Sequence, residues 1–203
     1  MNAAHRRWTA LACCLLVLAL LAAQVVMHGP VLALDDSVSR YWMVHHSPAL
    51  TTFMRWLSIL HEQVVVLVAA AIVAMFLGMR HDWRSARAML VVPTGMVLNV
   101  AVKDVFHRAR PHWEDPLVQL TTYSFPSGHA VAATVFWGMV CALVFTHTRS
   151  RGWRAVTVVA SAVMVALVCC SRVYLGAHYP SDVVAGIALG LSCVLAFVPL
   201  LRR

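Results

Sequence analysis

The sequence predicts an all-α membrane protein with six transmembrane helices, and three observations lead to that prediction. Hydrophobic residues make up 61% of the 203 residues and charged residues only 12%, which is far from the balance of an ordinary soluble domain. Uncharged stretches recur along the whole chain at nearly the length needed to cross a bilayer. Lysines and arginines lie in short clusters between these stretches, as is typical of loops at a membrane surface.

Each uncharged stretch is interpreted as one helix, because crossing the hydrocarbon core takes roughly 20 apolar residues. The six stretches cover approximately residues 8–27, 64–79, 88–102, 130–145, 155–170 and 183–201. The second and third are short, and the third contains Pro93 and Asn99. These two assignments therefore depend on Arg80, Arg87 and Lys103 at the helix ends extending their charged groups to the membrane surface.

Two segments of the N-terminal half allow alternative interpretations. Arg6 and Arg7 precede the first stretch as in a cleaved signal peptide, but its apolar run is longer than a usual signal core, so we expect it to be retained. Residues 35–61 interleave apolar and polar side chains, which fits either an interfacial helix or a folded cap on the other external loops. Asp35 and Asp36 are expected to solvate this loop. No internal repeat divides the chain, and residues 1–203 are predicted to form a single membrane-embedded domain.

The distribution of lysine and arginine predicts that both termini are cytoplasmic, because cytoplasmic loops are enriched in these residues. With the N-terminus inside, the cytoplasmic segments hold ten of them: Arg6, Arg7, Arg80, Arg84, Arg87, Arg149, Arg151, Arg154, Arg202 and Arg203. The opposite side holds six: Arg40, Arg55, Lys103, Arg108, Arg110 and Arg172. This excess of ten over six supports the orientation with both termini on the cytoplasmic side.

The positive charge of the chain does not indicate a nucleic-acid partner. The formal net charge is +8, but the basic residues form neither a long run nor a stripe along one helix. The cysteines lie inside apolar stretches without C-x-x-C spacing, so we expect them to be reduced and packed among the helices. These six residues are Cys13, Cys14, Cys141, Cys169, Cys170 and Cys193.

Three polar groups of residues fall on the predicted outer side, each at the end of an apolar stretch. The first is Lys103, six residues, then Arg110 and Pro111; the second is Pro126-Ser127-Gly128-His129; the third is Ser171-Arg172, five residues, His178, three residues, then Asp182. If the three groups meet at one point, they place several cations and two histidines together at the membrane surface.

The cations of these groups favour the binding of a phosphate. Lys103, Arg110 and Arg172 would neutralise a dianion, and the two planar guanidinium groups suit bidentate contact with phosphate oxygens. Ser127 and Gly128 lie at the start of an apolar stretch, where the backbone N–H groups of a helix N-terminus can point at an anion. Glycine also lets the backbone approach the ligand closely.

The two histidines suit a division between nucleophile and general acid. Asp182 follows His178 by four residues, so a helix beginning near Tyr179 and Pro180 would place the carboxylate beside the imidazole. That carboxylate would fix the tautomer and leave the other ring nitrogen with a lone pair for attack. His129 is then available to protonate the departing alkoxide and later to activate a water molecule.

These residues and spacings resemble the type 2 phosphatidic acid phosphatase superfamily, whose signature is three motifs: K-x6-R-P, P-S-G-H and S-R-x5-H-x3-D. All positions of the three motifs match in this chain and occur in the family's order. The resemblance implies a metal-independent phosphohydrolase without cofactor, with a six-helix membrane fold and an active site at the outer, periplasmic or extracellular, surface. It also implies catalytic roles for His178, His129 and Asp182, and phosphate binding by Lys103, Arg110, Ser127, Gly128 and Arg172.

The expected substrate is a lipid phosphate or pyrophosphate, because a headgroup can enter an interfacial site while its tail stays in the bilayer. The short external loops favour a small phosphate group, so undecaprenyl pyrophosphate is preferred to phosphatidylglycerol phosphate, phosphatidic acid or the phosphates of lipid A. A lipid phosphotransferase and a non-catalytic transporter or scaffold with the same fold are alternatives, and the oligomeric state is open.

The remaining polar residues on the outer side are expected to have no part in the chemistry. His107, Arg108 and His112 flank the first motif and are interpreted as solvated loop residues. His61 and Glu62 are interpreted as ordinary interface residues. No pair of histidines has ligand spacing on a shared face with a carboxylate, so we expect no metal site.

Overall fold

Nine α-helices and one short 3₁₀ helix make up the computed structural model, which describes residues 2–113, 116–118 and 120–201. They are α1 (Ala3–Val26), α2 (Val31–Val44), α3 (Pro48–Leu60), α4 (Gln63–Met79), α5 (Trp83–Ala88), α6 (Val91–Phe106), α7 (Gly128–His147), α8 (Arg151–Tyr174), α9 (Pro180–Phe197) and the 3₁₀ helix Val198–Leu201. The all-α prediction is confirmed. Arg202 and Arg203, which entered the topology prediction, lie outside the described residues.

Within the part of the chain that the structure describes, five segments are long and apolar enough to cross a membrane. They are Ala4–Val26, Trp83–Phe106, Gly128–His147, Arg151–Tyr174 and Pro180–Leu201. The predicted second span is α4, which has 17 residues and passes the same test only together with α3, as a helix pair bent by 47°. Counting that pair, the number of spans reaches six, as the sequence predicts.

Residues 35–61 form most of α2 and all of α3 rather than one interfacial helix. Ser47 caps α3 by accepting the N–H of Leu50 at 3.4 Å, and Pro48 occupies the first turn, where its missing N–H costs nothing. The Tyr174 hydroxyl at the end of α8 accepts the N–H of Ser47 and contacts the Thr51 hydroxyl, both at 3.0 Å. These contacts favour the folded-cap interpretation of the segment.

Helix α7 is the centre of the bundle and packs against α4, α6, α8 and α9. Two glycines let α9 lie directly on its first half. A Cβ at Gly186 would lie 2.7 Å from the Ser127 carbonyl oxygen, and one at Gly190 would lie 2.7 Å from the Thr134 Cβ. Because any side chain there would force the helices apart, the start of α9 is fixed beside the start of α7.

The polar groups singled out in the sequence all lie at one end of the bundle. Helices α6 and α8 end there, and α7 and α9 begin there, as four successive antiparallel segments require. The last turns of α1 reach the same end, where Val25 belongs to a buried cluster with Phe125 of the α6–α7 connection and Ala185 of α9. The fold therefore brings together residues from distant parts of the chain.

Candidate active site

A cavity of about 210 Å³ opens at this end of the bundle. Its walls are formed by Glu62, Gln63, Val64, Lys103, Arg110, Leu120, Thr122, Gly128, His129, Arg172 and His178. The structure thus gathers six of the eight predicted site residues around one space. The other two, Ser127 and Asp182, are fully buried directly behind the cavity wall.

Asp182 holds the His178 ring from behind. Tyr179 is the N-cap of α9, and the Asp182 carboxylate in the first turn accepts the Tyr179 N–H at 2.9 Å. The same carboxylate oxygen accepts the Ser124 hydroxyl at 2.5 Å and lies 3.5 Å from His178 Nδ1. On the other side of the ring, an Arg110 N–H lies 3.1 Å from Nε2. This arrangement places the ring proton on Nδ1 and a lone pair on Nε2.

The surroundings of His178 keep its ring uncharged. Its side chain is only 3% exposed. Burial lowers the pKa of His178 to about 3, with Asp182 opposing this shift and Arg110 and Arg172 adding to it. Because the folded protein disfavours the imidazolium, Nε2 keeps its lone pair at neutral and at mildly acidic pH.

We expect the His178 resonance in a ¹⁵N-histidine NMR spectrum to stay at its neutral position from neutral pH down to about pH 5, where exposed histidines are mostly protonated. The ring should stay neutral over this range because its pKa in the folded protein is lowered, and protonation begins only as the pH approaches that lowered value. The resonance is assigned by its loss in His178→Gln. A His178 titration midpoint near the ordinary histidine pKa of about 6.5 would contradict the arrangement.

The three cations of the cavity are held by neutral acceptors. Arg110 donates to the carbonyl oxygens of Thr122 and Ala177, each at 2.6 Å. Lys103 Nζ donates to the Tyr123 carbonyl oxygen. Arg172 is 3% exposed, and one of its N–H groups donates to the Ser58 hydroxyl. These acceptors orient the charges without neutralising them, so the cavity favours an anion.

Arg172 offers a further donor to such an anion. Its Nε is buried and has no hydrogen-bond partner among the described residues. A buried guanidinium N–H without a partner is costly, whereas a bound oxyanion would satisfy it. This orphaned donor fits the prediction that Arg172 binds a phosphate.

The start of α7 differs from its predicted arrangement in one respect. The Ser127 N–H was expected to be free for an anion, but it donates to the Asp182 carbonyl oxygen at 2.9 Å, because α9 lies so close. The Ser127 hydroxyl is also occupied, since it accepts the Ala130 N–H at 3.5 Å as the helix cap. The N–H groups of Gly128 and His129 have no intrahelical acceptor at this position and are the donors left for a ligand.

His129 lies on the same cavity wall, in the first turn of α7. Its Nε2 is 3.4 Å from the Ser58 hydroxyl, which also accepts an N–H from Arg172. Ser58 therefore contacts both a predicted phosphate-binding residue and the predicted general acid. Ser58 belongs to α3, so the cap reaches into the site through a residue that the sequence interpretation did not select.

Arg108 and Asp35 were also missed. Arg108 was interpreted as a solvated loop residue and Asp35 as a solvating carboxylate, and both interpretations are wrong. Their side chains are 9% and 1% exposed and pair at 2.8 Å, and Arg108 contacts Asp182 at 2.6 Å. Their pairing joins positions 73 residues apart and follows only from the tertiary fold.

The other outer-side interpretations have mixed outcomes. His107 and His112 are exposed as expected. His61 is 7% exposed and accepts the Trp137 indole N–H at 3.2 Å, so its interpretation as an interface residue is wrong. Glu62 is exposed at the cavity wall.

Among the residues that the structure describes, no three His, Cys, Asp or Glu side chains are grouped closely enough to hold a metal ion.

Comparison with known proteins identifies relatives of the chain. A sequence model of the PAP2 superfamily matches residues 84–203. Phosphatidylglycerophosphatase B of Bacillus subtilis is 31% identical over 177 residues, which are 85% of this chain and 85% of that protein. The undecaprenyl-diphosphatase of Sulfolobus acidocaldarius is 37% identical over 100 residues, 47% of this chain and 44% of that protein. The crystal structure of a transmembrane PAP2 type phosphatidylglycerolphosphate phosphatase from Bacillus subtilis covers 92% of this chain and 93% of its own, with a TM-score of 0.84 and 27% identity.

Proposed function

This chain belongs to the PAP2 superfamily as a lipid phosphatase, and we propose that it hydrolyses phosphatidylglycerol phosphate through a phosphohistidine on His178, without a metal ion. One observation carries the mechanism. His178 lines the cavity together with Lys103, Arg110 and Arg172, and its Nε2 accepts a hydrogen bond from Arg110, which a bound phosphate oxygen would replace. A nucleophile and an anion site therefore share one wall.

In the first step, the three cations bind the phosphate oxygens and hold phosphorus in line with His178 Nε2. The N–P bond forms as the bond from phosphorus to the lipid oxygen breaks, and His129 gives its proton to that oxygen. Asp182 stabilises the positive charge that develops on the His178 ring, as its contact with Nδ1 allows. The cations stabilise the charge on the equatorial oxygens.

In the second step, His129 removes a proton from water and the water oxygen attacks phosphorus. The N–P bond breaks, its electron pair returns to His178 Nε2, and inorganic phosphate leaves. Each residue returns to its starting protonation state. The same histidine thus serves as acid and then as base, as the reversed direction of proton transfer in the two steps requires.

Phosphatidylglycerol phosphate replaces undecaprenyl pyrophosphate, which the sequence alone favoured, as the preferred substrate. The relative named phosphatidylglycerophosphatase B matches 85% of this chain, whereas the undecaprenyl-diphosphatase matches 47%. A second cavity of about 410 Å³ adjoins the first and shares Arg110 and Leu120 with it, which supports a headgroup larger than a phosphate alone. Undecaprenyl pyrophosphate is the second candidate, because the Sulfolobus relative carries that activity in its name.

We also place the protein, as one domain, in the cell inner membrane with both termini cytoplasmic and the cavity on the periplasmic or extracellular side. The distribution of lysine and arginine supports this orientation. The even number of spans, once the bent pair is counted, supports placing both termini on the same side.

The proposal is tested by measuring phosphate release in detergent with EDTA across phosphatidylglycerol phosphate, undecaprenyl pyrophosphate, phosphatidic acid and lipid A phosphates. We expect full activity with EDTA and the highest kcat/KM for phosphatidylglycerol phosphate. A strict requirement for a divalent cation would overturn the metal-free mechanism, and a higher kcat/KM for undecaprenyl pyrophosphate would replace the proposed substrate. Loss of the phosphate from the lipid with its appearance on an added acceptor alcohol, and no free phosphate when the alcohol is absent, would identify a phosphotransferase instead.

A further inference from the structure

A buried network lies behind the nucleophile, on the side away from the cavity. One Arg108 nitrogen donates to Asp182 Oδ1 at 2.6 Å and to the Ser181 hydroxyl at 2.7 Å, and the other donates to Asp35 Oδ2 at 2.8 Å. The Asp35 carboxylate also accepts the Ser181 N–H at 2.9 Å and the Ser181 hydroxyl at 2.5 Å. The Arg108 guanidinium lies 4.3 Å above the Tyr179 ring, which covers its face.

This network does not belong to the phosphate site. Neither Arg108 nor Asp35 lines the cavity that contains His178. Asp35 comes from α2, in the part of the chain that precedes the match to the superfamily, residues 84–203. The two side chains reach the chemistry only through Asp182 and the first turn of α9.

We propose that Arg108, in the connection that follows α6, and Asp35 of α2 are positioning residues that fix the charge and orientation of the His178–Asp182 pair. This inference rests on the proposed function, in which His178 is the nucleophile. The four side chains alternate along a line: imidazole, carboxylate, guanidinium and carboxylate. Arg108 neutralises Asp182 from behind, and Asp35 holds Arg108 while it accepts the Ser181 N–H in the first turn of α9.

The charge on Arg108 decides how strongly Asp182 attracts a proton to the pair. Without Arg108, the Asp182 carboxylate would stabilise the imidazolium form of His178 more strongly. The His178 ring would then be protonated at a higher pH. The phosphohistidine step needs the neutral ring, so this shift would remove the nucleophile in the acidic range. Loss of the hydrogen bond to Oδ1 would also free the carboxylate to rotate away from Nδ1.

Other charged or titratable groups around the pair must be considered in any pH profile. They are Asp35 from α2, Lys103 from α6, Arg110 from the α6–α7 connection, His129 from α7 and Arg172 from α8. None of these groups is itself replaced in a variant of Arg108. The effect of an Arg108 variant is therefore separated from theirs by comparing variants at a single pH as well as across the range.

The test compares Arg108→Gln, Arg108→Lys and Asp35→Asn with the wild-type protein. At metal sites, removing the hydrogen-bond partner behind a functional histidine typically lowers activity by about 10- to 100-fold. We expect a loss of kcat of the same order in Arg108→Gln, with little change in KM. We expect the acid limb of kcat/KM to move up by about one pH unit or more. Arg108→Lys should restore the acid limb but only part of kcat, because lysine lacks the planar fork.

Asp35→Asn is expected not to move the acid limb to higher pH, and this difference from Arg108→Gln separates the electrostatic role from simple damage. Without the Asp35 charge, Arg108 acts on Asp182 alone, and the acid limb should stay in place or move to lower pH. Arg40→Gln and Asp36→Asn are the matched controls, because these exposed residues of α2 flank the network, and they should leave activity unchanged. Gel filtration and thermal denaturation in detergent check the fold of every variant.

The ¹⁵N signal of His178 is the readout that does not depend on activity. In Arg108→Gln it should titrate at higher pH than in the wild type, whether or not any lipid is hydrolysed. Failure of the wild type to release phosphate would overturn the proposed function and leave this comparison intact. An unchanged His178 titration and an unchanged acid limb in a folded Arg108→Gln protein would overturn the positioning role.

Discussion

Replacing His178 with alanine is expected to abolish phosphate release and the formation of a phosphoenzyme together. The nucleophile and the site of the covalent intermediate are the same atom, so no other side chain can take over the first step. Losses of about 10⁴-fold or more are typical when an enzyme loses its nucleophile. The reaction is followed as inorganic phosphate released from the lipid, and the intermediate as ³²P retained on the protein after a rapid alkaline quench.

His46→Ala serves as the matched control, because His46 is an exposed histidine in the turn between α2 and α3. We expect this variant to keep wild-type activity. Since His178 is buried, its alanine variant is compared with the wild type by thermal denaturation before its activity is interpreted. Substantial turnover by a folded His178→Ala protein would rule out the phosphohistidine mechanism.

Replacing His129 with glutamine is expected to slow turnover by about 10² to 10⁴-fold, the usual contribution of a positioned acid or base. The two steps should respond differently to the leaving group. With a short-chain lipid phosphate, the missing proton donor slows the departure of the alkoxide. With an aryl phosphate, whose oxygen leaves without protonation, the first step should stay fast while hydrolysis of the phosphohistidine remains slow.

Stopped-flow measurement with the aryl substrate therefore distinguishes the role of His129 from general damage to the site. We expect a burst of phenolate equal to one turnover per protein, followed by slow release, and ³²P should accumulate on His178. A His129→Gln protein that slows both phases equally would argue that His129 positions the substrate instead. The same measurement on His46→Gln should show the wild-type time course.

Local features of the sequence were sufficient for the helical class and for the residues that surround the cavity. Apolar stretches predict helices because the bilayer requires a fixed length of them, and the motif residues could be grouped because each followed or preceded such a stretch. The grouping of Lys103, His129 and His178 around one space agrees with that argument. Their chemical roles stay predictions until the variants above are measured.

The start of the third span shows what the sequence leaves out. Its apolar run was taken to begin at residue 88, whereas the helical segment begins at Trp83. The reason is a local cap, since the Asp82 carboxylate accepts the Ser85 N–H at 3.2 Å and allows α5 to form from polar residues. A hydropathy argument does not detect a helix whose first turn is charged.

Arg108, Asp35 and Ser58 could not be found in this way for a different reason. Nothing in the sequence around these three residues marks them. Each acquires its role from a partner that is 71 to 114 residues away in the chain. A carboxylate near the end of an apolar helix is equally consistent with a solvated surface. Only the packing of α2 and α3 on the ends of α8 and α9 makes these positions part of the site.

The arrangement of the cap has a consequence for how such enzymes diversify. The residues proposed to react lie within residues 84–203, which match the superfamily, whereas Asp35, Ser58 and Gln63 contact the site from the preceding part of the chain. Substitutions at these three positions are therefore expected to change how the reacting groups are held, and the pH at which they act, while the reacting groups themselves stay the same.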